Sequence, residues 1–158
     1  MKVQLADEHA TRRLGEALGR AAVAGDVLAI EGPLGAGKTC LAQGVARGLD
    51  VPPTHYVNSP TFAILQVHPG RVPFYHVDLY RVGDDDEALG LGLDEVIGTD
   101  GVALVEWPSR LPWLLPADHL AATLEPDGPG RRLVLTARGP RSTRWAAAFA
   151  AERDREFG

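Results

Sequence analysis

A chain of 158 residues is long enough for one well-buried domain and too short for two ordinary ones, so a single domain over 1–158 is expected. Hydrophobic residues at 45% and charged residues at 23% fit a globular protein, and a formal net charge of −5 argues against general affinity for nucleic acid through a basic surface. One cysteine, Cys40, excludes an internal disulfide and a cysteine-rich zinc site, and no segment reaches the roughly 18 apolar residues of a membrane span, so a cytoplasmic protein is expected.

Asp7 is placed to cap a helix from about Glu8 to Ala22, with Ala10, Leu14, Ala17, Leu18 and Ala21 on one face. Gly25-Asp26 turns into Val27–Ile30, whose apolar run does not alternate and therefore reads as a strand buried on both faces. A glycine-rich segment follows and opens a helix in which Leu41, Val45 and Leu49 recur every four residues, until Pro52-Pro53 stops it. Residues 57–67 and 72–80 read as strands separated by a turn at Pro69-Gly70. Asp84 to Glu87 reads equally as a helix N-terminus or as a solvated charge run. Val102–Val105 is another two-faced strand, followed by a proline-rich loop over 108–116 and two strands around Asp127-Gly-Pro-Gly130. Ser142 is expected to cap a last helix over about 142–156, with Trp145, Ala148 and Phe149 at helical spacing. Strands alternating with helices imply an α/β fold with a mostly parallel sheet and an appended antiparallel C-terminal hairpin.

Residues 32–39, Gly-Pro-Leu-Gly-Ala-Gly-Lys-Thr, match the phosphate-binding pattern G-x-x-x-x-G-K-[ST] in full. Glycines let the backbone curl until successive N–H groups face one anion, and the following helix adds the positive end of its dipole. In this pattern Lys38 reaches the β- and γ-phosphates of a nucleotide and the Thr39 hydroxyl ligates Mg²⁺. Of 16 basic residues only Lys2 and Lys38 are lysine, so position 38 wants a compact ammonium rather than a planar fork. The motif points to a P-loop NTPase-type three-layer sandwich.

Two apolar strands end in carboxylates, Phe74-Tyr-His-Val-Asp78 and Val102-Ala-Leu-Val-Glu106. A carboxylate at the rim of a buried sheet is costly without a positive partner, and Mg²⁺ is the expected one for Glu106. Either acid is suited to hold the metal while the other orients an attacking water. A structural role remains open for both, as loop caps or as partners of an arginine such as Arg81. Asn58-Ser-Pro-Thr-Phe62 holds the only asparagine and reads either as an ordinary loop or as a switch whose threonine senses the γ-phosphate. The five histidines are scattered without ligand spacing, and His76, two residues before Asp78, is assigned to packing. Trp107 is assigned to the core, with a platform beside a nucleotide as the alternative.

Together, Gly-x-Leu-Gly-Ala-Gly-Lys-Thr at 32–39, Ser-Pro-Thr-Phe at 59–62, His-x-Asp-Leu-Tyr-Arg at 76–81 and Val-Glu-Trp-Pro at 105–108 resemble the TsaE (YjeE) family. The resemblance runs over about residues 5 to 140, departs at Pro33, where the family commonly has an acidic or polar residue, and leaves the last helix unmatched. It implies a Mg²⁺-dependent ATPase, slow when isolated, that works with TsaB and TsaD in forming threonylcarbamoyladenosine at position 37 of tRNA. The tRNA would be met through the complex, and neither a membrane nor a carried threonylcarbamoyl group is implied. By matching positions, the family's ATP/ADP site corresponds to Gly35, Ala36, Gly37, Lys38, Thr39 and Cys40, with Thr39 and Glu106 on the metal. Asp78, Lys38 and Glu106 correspond to the catalytic groups, Thr61 to the switch, and Thr11 and Arg131 to the adenine side. A small-molecule kinase and an ATP-regulated binding module are the alternatives. A GTPase is disfavoured because the sole asparagine starts no N-K-x-D motif.

Overall fold

The structure is a computed structural model, and it describes residues 1–60 and 62–157. In chain order the elements are β1 (Lys2–Leu5), α1 (Glu8–Ala21), β2 (Val27–Glu31), α2 (Lys38–Gly48), β3 (Leu65–His68), β4 (Phe74–Asp78), α3 (Asp85–Gly90), α4 (Leu93–Val96), β5 (Val102–Glu106), β6 (Leu120–Asp127), β7 (Gly130–Ala137) and α5 (Pro140–Phe157). Short 3₁₀ turns at Pro108–Arg110 and Pro112–Leu114 occupy the proline-rich loop.

All seven strands form one sheet in the order β1-β7-β6-β2-β5-β4-β3. The pairs β6–β2, β2–β5 and β5–β4 are parallel, whereas β1–β7, β7–β6 and β4–β3 are antiparallel. The sheet is therefore mixed rather than mostly parallel: a parallel centre is flanked by antiparallel pairs on both sides. The C-terminal hairpin β6–β7 forms as its Asp127–Gly130 turn predicts, and β1 adds beyond it.

Side-chain alternation sends the central strands' residues to two cores. Leu28, Ile30, Phe74, Val102 and Leu104 pack under α1, α2 and α5, while Val27, Tyr75, Val77, Ala103 and Val105 pack with Ala88 of α3 and Leu93 of α4. The Asp7 carboxylate accepts from the Ala10 N–H at 2.8 Å, starting α1 where expected. Asp84 caps α3 in the same way, which decides the acidic run in favour of a helix start. Where α1 crosses α2 the backbones touch. A Cβ on Gly44 would lie 2.1 Å from the Arg12 carbonyl oxygen, and one on Gly15 would lie 2.5 Å from that of Leu41. Arg71, in the β3–β4 turn, donates to Gly48 O at 2.8 Å, Gly19 O at 2.8 Å and Ala22 O at 2.6 Å, so one guanidinium satisfies carbonyls at the C-terminal ends of both helices.

Two expected boundaries are corrected. Residues 57–60 and 62–64 are not strand: Ile64 has φ 67° and its N–H bonds Pro60 O at 2.6 Å, a turn that precedes the start of β3. The last helix begins at Pro140 rather than Ser142. Its first-turn amides of Arg141 and Ser142 are taken by the Asp118 carboxylate at 2.7 and 2.9 Å, while the buried Ser142 hydroxyl accepts from Arg138 and Gly139.

Candidate functional site

Since β2, β5 and β4 run parallel, their carboxyl ends open on one edge, where α/β sheets bind ligands. The register aligns Ile30, Glu106 and Asp78 in one row across that edge. Glu106 and Asp78 fall in the alternation of Leu104 and His76, on the face that carries α2.

The loop leaving β2 is shaped by Gly35 and Gly37, with φ of 79° and 102°, a region that a side chain would strain. Gly37 is the N-cap of α2 and among the described residues no side chain caps that helix, so the amides of its first turn are open to another acceptor. Arg131, at the start of β7, donates through Nε to Ala36 O at 2.9 Å and through Nη2 to Gly35 O at 3.2 Å. Each trans peptide points its N–H opposite its C=O, so holding the Ala36 carbonyl on Arg131 turns the Gly37 N–H away from that guanidinium.

Lys38 is buried, with Nζ 2.7 Å from Gly32 O and 3.8 Å from the centroid of the Trp107 ring. Burial pushes its pKa down, opposed by the charges of Glu106, Asp78 and Glu31. Trp107 is half-buried and left-handed (φ 57°), and its ring also meets Tyr80 with centroids 5.0 Å apart. The tryptophan packs against the core as expected and is also a cation–π platform for the lysine. Asp78 Oδ1 accepts from the Tyr80 N–H at 2.9 Å and Oδ2 from the Ser59 hydroxyl at 3.2 Å. Glu106 Oε2 lies 2.6 Å from His76 Nε2, both side chains being buried.

One cleft is lined by Gly35, Gly37, Lys38, Thr39, Cys40, Asp78 and Glu106, uniting most of the expected phosphate and metal residues. A second cleft is lined by Thr11 and Arg131 and shares Gly35, Gly37 and Cys40 with the first. Ala36 is fully buried, its side chain in the α2-side core and its carbonyl on Arg131. Thr11 is also buried, its hydroxyl donating to Asp7 O at 3.2 Å. Burial raises the Cys40 pKa. Thr61 lies outside the described residues. Sequence reasoning missed the bonds His76–Glu106 and Ser59–Asp78. The i, i+2 placement of His76 and Asp78 was the available signal, and it needed the β4–β5 adjacency to become informative.

The profile of the threonylcarbamoyl adenosine biosynthesis protein TsaE family matches residues 5–134. The chain belongs to the TsaE family. A TsaE relative from Bacillus subtilis, a tRNA threonylcarbamoyladenosine biosynthesis protein, is 39% identical over 143 residues, covering 89% of this chain and 88% of that protein. The TsaE protein of Treponema pallidum is 35% identical, over 80% of this chain and 93% of its own length. The crystal structure of Bacillus subtilis YdiB superposes with a TM-score of 0.82 at 31% identity, covering 96% of this chain and 94% of that one. The TsaE family takes part in the biosynthesis of threonylcarbamoyladenosine in tRNA. Among the described residues no helix is long and apolar enough to cross a membrane.

Proposed function

We propose that this chain is a single P-loop NTPase-type domain, a three-layer sandwich that binds and slowly hydrolyses ATP in support of threonylcarbamoyladenosine formation on tRNA. The observation that carries the reading is the convergence of the 32–39 loop, uncapped at the start of α2, with two buried carboxylates from neighbouring strand ends. Anionic phosphates suit the loop amides, the helix dipole and Lys38. Lys38 would leave Gly32 O and the Trp107 ring to meet them.

The donors fit Mg²⁺. Two buried carboxylates act on one ammonium, and Thr39 lines the same cleft. Among the described residues no three His, Cys, Asp or Glu side chains are grouped to hold a metal ion. Mg²⁺ at nucleotide sites uses one or two protein groups and completes its shell with phosphate oxygens and water. Thr39 and Glu106 are its proposed ligands. Bound there, the ion would neutralise charge on the β- and γ-phosphates. Asp78, held by Ser59 and the Tyr80 amide, would orient the attacking water. Thr11 and Arg131 would flank the adenine side beside Cys40, and Thr61 would belong to the γ-phosphate switch. Arg81 lines the cleft, but its guanidinium sits over the Phe62 ring at 4.4 Å, so fast turnover would need its release or an arginine from a partner. TsaB and TsaD are the proposed partners, in the cytoplasm, with tRNA met through them.

Calorimetry with ATP, ADP, GTP and GDP, with and without Mg²⁺, tests the site; Mg²⁺-dependent adenine-nucleotide binding is expected, and tighter GDP binding would remove the ATPase reading. Phosphate release measured with and without TsaB and TsaD tests the partnership. Rapid hydrolysis by the lone chain, indifferent to both proteins, would count against it.

A further inference from the structure

We infer that His76 is a positioning residue for Glu106: it holds one carboxylate oxygen and thereby presents the other to the cleft. The inference rests on the proposed reading of Glu106 as a metal ligand and deepens it. His76 is 0% exposed in the middle of β4, and its Nε2 lies 2.6 Å from Glu106 Oε2 on β5. Its ring stacks on Phe74, with centroids 5.9 Å apart and planes 13° from parallel, and His68 packs against Phe74 at 6.0 Å. Packing therefore fixes the imidazole, and the imidazole fixes the carboxylate.

A purely space-filling role explains the position poorly. Among the described residues the buried His76 Nδ1 has no hydrogen-bond partner, a desolvation cost that a phenyl ring would avoid. The bond to Glu106 is the polar contact that offsets it. A carboxylate acceptor calls for the proton on Nε2, which leaves Nδ1 as the bare nitrogen. With Oε2 held, Glu106 would offer a cation its Oε1 alone, in one rotamer. Such outer partners orient metal ligands, and losing one typically costs about 10–100-fold in metal affinity.

The test is calorimetry of ADP across a Mg²⁺ titration and in EDTA, for the wild type, His76→Phe and His76→Gln. His76→Phe keeps the stack on Phe74 and loses the donor; His76→Gln loses much of the stack and keeps a donor. We expect His76→Phe to need about tenfold more Mg²⁺ for half-maximal stimulation of ADP binding, with its affinity in EDTA unchanged, and His76→Gln to recover most of the difference. Wild-type Mg²⁺ dependence in His76→Phe would overturn the inference while leaving the site reading intact. A wild-type chain indifferent to Mg²⁺ would remove the site reading, and the inference with it. Imidazole ¹⁵N spectra of the wild type need no variant. A proton on Nε2 and a shift of that resonance when Mg²⁺ joins ADP are expected, and a proton on Nδ1 with none on Nε2 would overturn the inference.

Discussion

Between α1 and α2 the chain brings backbones into contact through glycines and buries aliphatic side chains around them. At the rim of β2, β5 and β4 it buries Lys38, His76, Asp78 and Glu106 instead. The first region removes apolar surface from water at no electrostatic cost. The second keeps charge in a dry place, where each group needs a partner to offset its lost hydration. Packing and the proposed chemistry therefore sit in different parts of the molecule, and substitutions should separate them.

The largest effect should come from Gly44→Ala. Its Cβ would lie 2.1 Å from a backbone carbonyl that cannot swing aside, so α1 and α2 must part. Overpacking of this kind costs about 3 kcal/mol, or roughly 6–12 °C in Tm for a chain of this size. Thermal denaturation within 2 °C of the wild type would show that the helix contact is looser than described. At the rim, Asp78→Asn should slow ATP hydrolysis by about 100-fold, as loss of a water-orienting base does, and change ADP affinity far less. A proportionate loss in both, by phosphate release and calorimetry, would make Asp78 a structural acid.

Lys38→Met should weaken nucleotide binding by about 10–100-fold, the worth of a hydrogen bond to a charged group. Burial lowers the Lys38 pKa, so between its folded value and the ordinary 10.5 the unfolded chain binds more protons than the folded one. The wild type thus carries a cost at neutral pH that fades as pH rises toward 10.5. The stability of the wild type relative to Lys38→Met, read from urea midpoints, should rise over that range; a fall contradicts the burial argument.

The smallest effect belongs to a charge left in water. The Tyr75 hydroxyl donates to Asp100 at 2.7 Å, which lowers the Asp100 pKa and, with burial, pushes that of Tyr75 up to about 12. For Asp100 the folded value is depressed, so the stability it supplies is present above the ordinary 3.8 and lost as pH falls through the folded value. For Tyr75 the folded value is raised, so its share is present below 10 and lost as pH rises through about 12. Tyr75→Phe should flatten both arms of the stability profile slightly and leave nucleotide binding alone. An unchanged acid arm, by circular dichroism, would mean that the bond is not kept in solution.

Local signals were legible wherever one stretch of chain determines the outcome. Asp7 capped its helix, Asp127–Gly130 turned its hairpin, and the glycine loop lies between β2 and α2, whereas the acidic run at Asp84 read two ways until the structure made it a helix cap. What escaped was set by neighbours distant in sequence. Lys2-Val-Gln-Leu5 is a four-residue edge strand held by β7, too short to show periodicity. Residues 62–64, Phe-Ala-Ile, carry strand-forming composition, but Ile64 adopts a left-handed turn that leads into β3. The His76–Glu106 bond spans 30 positions and exists only because β4 and β5 pair in register. Trp107, directly after β5, meets Lys38 at the start of α2 across more than twice that gap.

Arg71 has a consequence for how the molecule opens. Its guanidinium bonds carbonyls at the ends of α1 and α2 from the β3–β4 turn, and the Arg71 amide bonds Leu49 O at 2.9 Å. Fraying either helix from its C-terminal end breaks the same junction, so the two ends cannot loosen independently. Amide hydrogen exchange should report one shared opening event for the last turns of both helices and the β3–β4 turn. Removing the guanidinium in Arg71→Ala should split that event into three faster ones.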